Sequence, residues 1–351
     1  MLFLLFTKYQ KYIILLIDNK GDFMNILIIG KPKINVRMVL DGFPKENSKT
    51  TIFEKQEEIG GTSVYIAKML TNWGVPVYYA GATCGDELGL KIKSDLEASH
   101  IDTKYLETDY EHHTNMNYIL LNKASGTSTE VYVDEKSYLT KHKYDNPDYI
   151  ITDGTDLGAS IAAANNYPNA KIILLANKVN NEYYDLSKRS HYVVASASFA
   201  SALTKIPMDY KPKTLVNIFQ KIKDLNKANF IVMLNEHGVL YAKERDVKMI
   251  PALKVEKQDD SNSGAAFFGA YIYGLVNNMD IDDTAKIANI AGGIALTKIG
   301  MDSIPLKSEV FRLAGIDESK VKTPEAKETP KAPIEPTENQ KEEVKEGTTN
   351  A

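Results

Sequence analysis

The chain has 351 residues, 43% of them apolar and 25% charged, which is enough apolar material for a sizeable buried core. Its formal net charge of -4 is too small to indicate a nucleic-acid or membrane-surface partner. A single cysteine, Cys84, excludes an intramolecular disulfide, and the six histidines show no spacing typical of a metal site. We therefore predict no metal centre formed by Cys and His, and a reducing, cytoplasmic location.

The first 23 residues contain two short apolar runs interrupted by Lys8 and Lys11. Neither run is long enough to span a bilayer, and no small-residue cleavage site follows them as in a signal peptide. We predict an N-terminal extension over residues 1–23 and a folded part that begins at Met24, because residues 24–30 resemble a buried strand that ends at Gly30. A weak surface anchor is the alternative for the extension.

The next part of the chain predicts short elements. Strands are expected at residues 35–40 and 50–57, followed by a helix that begins after Gly60 and Gly61 and stops at Gly74. A strand at residues 77–82, a helix at 88–99 and a hairpin at 115–133 complete this half. The segments at about 35–57 and 115–133 are predicted to form a small sheet that acts as a lid.

From residue 148 onwards, strands and helices alternate. Strands are predicted at residues 149–152, 171–176, 192–196 and 230–234, helices at 157–165 and 214–225, a hairpin at 239–250, and two further helices before the fold ends near Leu313. This alternation predicts an α/β fold with a doubly wound, mainly parallel sheet, whose ligands bind outside the carboxyl ends of the strands. Residues 314–351 are rich in Pro, Glu, Lys and Thr and predict a disordered tail.

Residues 259–267 read Asp-Asp-Ser-Asn-Ser-Gly-Ala-Ala-Phe and pass from a small polar turn into a long apolar helix. Such a helix start exposes N–H groups without partners, which predicts an anion site at Ser263 and Gly264. The segment resembles the second signature of the PfkB (ribokinase-like) carbohydrate kinases, Asp-Thr-x-Gly-Ala-Gly-Asp-x-Phe. Asp259 and Gly264 match it, Asn262 stands at its first Gly, and Ala265 stands at its final Asp, the catalytic base of the family.

The resemblance extends over about residues 24–313 and implies a ribokinase-like fold, ATP and Mg²⁺ as cofactors, and a sugar or nucleoside as substrate. Gly60 and Gly61 match the first signature, which implies a place near the substrate, together with Asn35 at the position of a sugar-binding Asp. Gly238 is the one residue retained from a phosphate-binding Thr-x-Gly-x-x-Gly, and Asn289 lies in the helix that walls the adenine pocket. The resemblance therefore implies nucleotide contacts at Gly238 and Asn289.

Several chemistry-bearing positions depart from the family pattern. Tyr65 replaces a sugar-contacting Asn and is expected to fill part of the sugar space, while residues 196–199 (Ser-Ala-Ser-Phe) lack the Asn and Glu that organise magnesium waters. Asp259 and Asp260 precede the helix by several residues, so neither is expected to act as the base, and His237 is expected to be solvated. Two hypotheses remain open: a kinase with weak catalysis, and a non-catalytic pseudokinase that binds a ligand or a partner.

Two further expectations concern other classes and partners. An NAD-binding dehydrogenase is excluded, because no Gly-x-Gly-x-x-Gly follows the first predicted strand. The lid is predicted to mediate a homodimer, since a small sheet with open edges is marginal alone and favours pairing with another chain.

Overall fold

The computed structural model describes residues 24–133 and 138–321. The predictions for the extension at residues 1–23 and for the tail beyond residue 321 lie outside this part of the chain. The beginning of the predicted tail, at residues 314–321, is described and contains the short 3₁₀ turn Glu318–Lys320, held to the preceding helix by an ion pair of 2.9 Å between Lys307 and Glu318.

Nine strands form the large sheet. In spatial order they are β5 (Asp102–Asp109), β4 (Tyr78–Cys84), β1 (Ile26–Ile29), β8 (Tyr149–Thr152), β9 (Lys171–Ala176), β10 (Tyr192–Ser196), β11 (Asn229–Met233), β12 (Val239–Lys243) and β13 (Asp246–Ile250). Neighbours from β5 to β11 are parallel, and the last two strands are antiparallel. All four residues of β1 and of β8 are buried, as expected for parallel strands covered on both faces.

Helices cover the two faces of this sheet. In the described part of the chain they are α1 (Thr62–Asn72), α2 (Glu87–Ala98), α3 (Leu157–Asn166), α4 (Asn181–Arg189), α5 (Ala197–Thr204), α6 (Pro212–Leu225), α7 (Ser263–Val276), α8 (Ile281–Ala295) and α9 (Lys307–Ala314). Several begin at the side-chain caps that the sequence offers, for example Asp86 for α2 and Asp156 for α3. Helix α7 is buried along most of its length and packs against α1 and α8. Within residues 24–133 and 138–321, no helix combines the length and the apolar character needed to cross a membrane.

A second sheet has four strands in the order β3 (Glu54–Gly60), β2 (Lys33–Leu40), β6 (Met116–Asn122) and β7 (Thr127–Tyr132). The strands β2 and β6 are parallel, and the two outer pairs are antiparallel. The predicted α/β fold with a mainly parallel sheet and a smaller sheet is therefore confirmed. The largest boundary difference concerns the strand expected at residues 50–57, which runs from Glu54 to Gly60, because Gly60 still pairs with Lys33 at the start of β2.

Candidate functional site

A cleft of about 330 Å³ lies at the carboxyl ends of the central strands, where ligands of open α/β sheets bind. The residues that line it lie at or just beyond the carboxyl ends of strands β1, β8, β9 and β11, on or beside the small sheet, and at the starts of helices α1 and α7. They are Lys31, Lys33, Gly61, Thr62, Asn115, Met116, Glu130, Tyr132, Val133, Asp153, Thr155, Leu175, Asn177, Lys178, Met233, Ser261, Gly264 and Ala265.

Positively charged side chains outnumber acidic side chains in this cleft. Three lysines, Lys31, Lys33 and Lys178, line it together with two acidic side chains, Asp153 and Glu130. The ammonium group of Lys33 lies 3.9 Å from the Glu130 carboxylate, and that of Lys31 lies 3.5 Å from the centre of the Tyr138 ring. Burial lowers the pKa of Lys33, while the charges of Glu130 and Asp153 oppose that shift. The cleft is thus suited to a ligand that carries negative charge.

Asp153 is the buried carboxylate of the cleft, with 3% of its surface exposed. One carboxylate oxygen accepts hydrogen bonds from the backbone N–H and hydroxyl of Thr155, and the other accepts from the backbone N–H of Ser63 at 3.0 Å. Burial raises the pKa of Asp153, against the effect of these hydrogen bonds and of the Lys33 charge. Since Ser63 lies in the first turn of α1, Asp153 holds the start of that helix in place.

The start of α7 forms the opposite wall of the cleft. The side-chain amide of Asn262 donates to the Gly300 carbonyl at 2.9 Å, and the hydroxyl of Ser263 donates to the Gly292 carbonyl at 3.0 Å. Both side chains therefore turn away from the cleft and leave the first turn of α7 without a side-chain cap. Asn262 therefore does not obstruct the cleft. Gly264 and Ala265 line the cleft, and the nearest atom to a β-carbon added at Gly264 is a Met233 methyl carbon at 3.9 Å.

The two aspartates that precede α7 are engaged in structural contacts. Asp259 is 2% exposed, and its carboxylate lies 3.1 Å from Nε of Arg37, whose side chain is fully buried. It also accepts hydrogen bonds from the backbone N–H groups of Ser261 at 2.9 Å and Gly300 at 3.2 Å. Arg37 in turn contacts Glu58 at 2.7 Å. This ion-pair cluster of Arg37, Glu58 and Asp259 connects strands β2 and β3 of the small sheet to the segment before α7.

Asp260 makes a second connection to the small sheet. One of its carboxylate oxygens accepts hydrogen bonds from the backbone N–H of Ser128 at 2.9 Å and from its hydroxyl at 2.7 Å. Ser128 lies on β7, at the other side of the small sheet from β3. The segment before α7 thus holds both sides of the lid, which explains in physical terms why neither aspartate is positioned as a base.

The structure brings only part of the predicted substrate site to the cleft. Gly61, with a φ of 104°, lines it, whereas Gly60 packs against Asn35 so closely that a β-carbon there would lie 2.0 Å from the Asn35 amide. Asn35 is 5% exposed, and its side-chain oxygen accepts a hydrogen bond from Asn117 at 3.1 Å.

The expectation that Tyr65 fills part of the sugar space was wrong. The helical period of α1 points Tyr65 into the core, where its hydroxyl contacts that of Ser303 at 3.2 Å.

The residues implied in nucleotide binding lie outside the cleft. Gly238 has a φ of 101°, and a β-carbon there would lie 2.0 Å from the Ile250 carbonyl oxygen, so close packing already requires a glycine. The amide of Asn289 donates to the Pro251 carbonyl at 2.8 Å. Both residues therefore have a structural role, and their contacts with a nucleotide stay a prediction.

The residues at the position of the family's magnesium site, 196–199, do not suit Mg²⁺. At residues 196–199 the hydroxyl of Ser196 caps α5 and contacts the Ser198 hydroxyl at 2.9 Å, and no carboxylate belongs to the segment. Across the described residues, no group of three or more His, Cys, Asp or Glu side chains is arranged to hold a metal ion. Because Mg²⁺ prefers carboxylate oxygens and water, these residues offer it no ligand set.

Sequence reasoning missed most of the polar residues of the cleft. Lys31 follows β1, Asp153 and Thr155 follow β8, and Asn177 and Lys178 follow β9. Each of them stands within three residues of the end of a correctly predicted strand. That position was the available signal, because the carboxyl ends of parallel strands meet at one edge of the sheet.

Comparisons with known proteins agree with this architecture. A ribokinase of Bacillus subtilis is 22% identical over 306 residues, covering 82% of this chain and 99% of that protein. The fold is shared with the ribokinase of Cryptococcus neoformans var. grubii solved with ADP (TM-score 0.70, 18% identity, 83% of this chain and 99% of that one). It is also shared with the ribokinase of Arabidopsis thaliana solved with ribose and ATP (TM-score 0.68, 14% identity, 84% and 100%). The model of the pfkB family carbohydrate kinases matches residues 24–308, and the chain therefore belongs to that family.

Proposed function

We propose that this protein is a non-catalytic member of its family, a pseudokinase that binds a small anionic ligand of sugar or nucleoside type in the cleft. The observation that carries the proposal is Ala265. It lines the cleft at the position where the family pattern has its catalytic Asp, and a methyl group accepts no proton.

Nearby carboxylates are poor substitutes for the missing base. The oxygens of Asp153 already accept hydrogen bonds from Ser63 and Thr155, and Asp259 and Asp260 connect the lid to the segment before α7. Loss of a general base typically lowers a rate about 10²–10⁴-fold. Phosphoryl transfer also depends on charge neutralisation, for which residues 196–199 supply no acidic side chain.

The charge of the cleft supports the choice of ligand. Lys31, Lys33 and Lys178 converge on a space that also meets the N-terminal end of α7, which has no side-chain cap. N–H groups without partners and the helix dipole add positive potential to that of the lysines. A phosphate or carboxylate group attached to a sugar or nucleoside matches this environment, and the volume of about 330 Å³ suits a ligand of that size.

A weak kinase is the second candidate, and one observation favours it. Asp153 lines the same cleft as Ala265, and burial raises the pKa of its carboxyl, which is a common property of catalytic acids and bases. In that case Asp153 would replace the missing base. Its substitution by Asn would then abolish turnover.

A coupled ADP-release assay with ATP, Mg²⁺ and a panel of sugars, nucleosides and their phosphates separates the two candidates. We expect no substrate-dependent turnover from the wild type or from Ala265→Asp, because a carboxylate alone does not supply the missing metal ligands. Wild-type turnover of about 1 s⁻¹, the low end for ordinary enzymes, would refute the pseudokinase proposal. If that turnover disappears in Asp153→Asn, the weak-kinase candidate is supported.

Calorimetric titration tests the binding part of the proposal. Ribose 5-phosphate is expected to bind more tightly than ribose. Lys33→Met and Lys178→Met are each expected to weaken its binding about 10- to 100-fold, since hydrogen bonds to charged groups contribute about 1.5–3 kcal/mol. Lys188→Met is the matched control, because Lys188 lies on the surface of α4 beside Asp185. Equal affinity for the two sugars, or equal loss in the control, would contradict an anion site.

Two lesser proposals concern assembly and location. We propose a homodimer through the small sheet, on which Tyr118, Val131 and Tyr132 expose 36–58% of their surface. Sedimentation as a clean monomer at micromolar concentration would contradict the homodimer.

We also propose a cytoplasmic location, which rests on the single cysteine of the sequence. Fractionation of cells that express the protein tests this location.

A further inference from the structure

Ser261 lines the cleft just before α7, and its side chain contacts a buried cation. Its oxygen lies 3.2 Å from Nη2 of Arg37, whose side chain is fully buried. Its backbone N–H donates to the Asp259 carboxylate at 2.9 Å. Arg37 is itself held by Glu58 and Asp259, neither of which lines the cleft. The ion-pair cluster of Arg37, Glu58 and Asp259 therefore fixes the position of the Ser261 side chain.

The contact with Arg37 decides the direction in which Ser261 can donate a hydrogen bond. A guanidinium group has N–H donors and no acceptor, so the Ser261 oxygen accepts the hydrogen bond from Arg37. The hydroxyl proton points elsewhere, and it has no acceptor among residues 24–133 and 138–321. Because Ser261 is only half-buried and lines the cleft, this proton is available to a molecule bound there.

Two other hydroxyl groups at the cleft wall already have acceptors within the protein. The hydroxyl of Thr155 donates to Asp153, and that of Ser263 donates to the Gly292 carbonyl. Ser261 differs from both, because its proton is free and its oxygen accepts from a charged donor. Hydrogen bonds in a chain polarise one another, so the bond from the guanidinium makes the Ser261 hydroxyl a stronger donor. A negatively charged acceptor gains most from such a donor.

We propose that Ser261 donates a hydrogen bond to the anionic group of the ligand in the cleft, a phosphate or a carboxylate, and that Arg37 is the positioning residue that directs this donor. The inference rests on the proposed anion site and adds a side-chain contact to it. Ser261 stands at the variable third position of the signature Asp-Thr-x-Gly-Ala-Gly-Asp, so the family pattern does not imply the contact. Gly264 also lines the cleft, which places the anionic group near the start of α7, where the helix dipole favours negative charge.

Calorimetric titration of the full chain with ribose 5-phosphate and with inorganic phosphate tests the contact. Ser261→Ala is expected to weaken the binding of both ligands about 10- to 100-fold, as for the loss of a hydrogen bond to a charged group. Ser261→Thr keeps the hydroxyl and is expected to bind both ligands as the wild type does. Ser128→Ala is the matched control. It removes a hydrogen bond of 2.7 Å to Asp260 in the same segment, but Ser128 does not line the cleft, so affinity should not change.

A double-mutant cycle tests the positioning role of Arg37. If Arg37 directs the donor, Ser261→Ala should weaken phosphate binding less in the Arg37→Met background than in the wild type. A residue with only a structural role would leave the effect of Ser261→Ala the same in both backgrounds. Arg37→Lys keeps the charge but loses the planar fork of N–H groups, and it serves as the background if Arg37→Met does not fold.

The possible outcomes separate this inference from the proposed function. Unchanged affinity in Ser261→Ala, or an equal loss in Ser128→Ala, would overturn the contact and leave the anion site in place. A loss for ribose 5-phosphate without a loss for inorganic phosphate would also overturn it, since Ser261 would then contact the sugar. An equal effect of Ser261→Ala in both backgrounds would overturn the role of Arg37. A wild type that binds neither ligand would refute the anion site itself.

Discussion

Replacement of Arg37 by Met tests whether the ion-pair cluster of Arg37, Glu58 and Asp259 holds the lid to the rest of the fold. The Arg37 side chain is fully buried, and that of Asp259 is 2% exposed. Met retains much of the apolar length of the side chain but leaves the Asp259 carboxylate buried without its cation. Asp259 keeps the backbone hydrogen bonds from Ser261 and Gly300, which only partly compensate a buried charge.

The expected loss follows from this burial. Removal of one partner of a buried ion pair typically costs about 3–5 kcal/mol, because the other charge is left uncompensated. For a domain of this size, each kcal/mol lowers Tm by about 2–4 °C, so that loss corresponds to a fall in Tm of about 6–20 °C. The double variant Arg37→Met/Asp259→Asn removes the orphaned charge and keeps an acceptor oxygen for one of the two N–H groups, which bond different carboxylate oxygens, so we expect it to recover about 1–3 kcal/mol.

Urea denaturation followed by far-UV circular dichroism measures these free energies of unfolding. Lys188→Met is the control, since the ion pair of Lys188 with Asp185 lies on the surface at 3.7 Å and is expected to contribute less than about 0.5 kcal/mol. A loss below about 1 kcal/mol for Arg37→Met, or a double variant less stable than the single one, would refute the assignment of a structural role to Asp259.

Two further changes have expected outcomes that calorimetry can check. Gly238→Ala should lower the free energy of unfolding by more than about 2 kcal/mol, since the φ of Gly238 is 101° and the new methyl group would lie 2.0 Å from a carbonyl oxygen. Gly74 has a φ of 84° but open space around it, so Gly74→Ala should lower the free energy of unfolding by only about 1 kcal/mol. Equal losses would contradict the steric part of this reasoning. Hydrogen bonds from Lys248 and Lys243 lower the pKa of Asp282 to about 2, so its contribution to stability is present above about pH 4 and is lost as the pH falls towards 2. Asp282→Asn should therefore lower the free energy of unfolding slightly at pH 7 and not at pH 2. An equal difference between the variant and the wild type at both pH values would contradict this assignment.

The regular elements were predictable where hydrophobic pattern decides structure. The strands at residues 149–152, 171–176 and 192–196 were predicted with their observed bounds, because fully buried parallel strands are continuous apolar runs. Helix α4 was missed because only Tyr183, Leu186 and Ser187 of its nine residues are buried. Strand β5 was missed for a related reason: it is an edge strand without a fully buried residue, so its apolar signal is weak.

The site was less predictable than the fold, because a motif locates a residue in the chain and not the direction of its side chain. Ser263 and Gly264 are neighbours at the start of α7, yet only Gly264 faces the cleft. Tyr65 lies three residues after Thr62, which lines the cleft, but points to the core. The polar residues after β8 and β9 belong to no signature, so only the topology of the sheet shows that Asp153 and Lys178 line the same cleft.

The two ends of the segment at residues 259–265 have different roles in the structure. Asp259 is fixed by Arg37 and by two backbone N–H groups, so its loss would destabilise the connection between the two sheets whether or not the protein acts on a substrate. Ala265 lines the cleft and takes no part in this connection. The agreement with the family pattern at Asp259 is therefore explained by the stability of the fold, and it carries no information about phosphoryl transfer. The difference at Ala265 is the one on which the proposed loss of phosphoryl transfer rests.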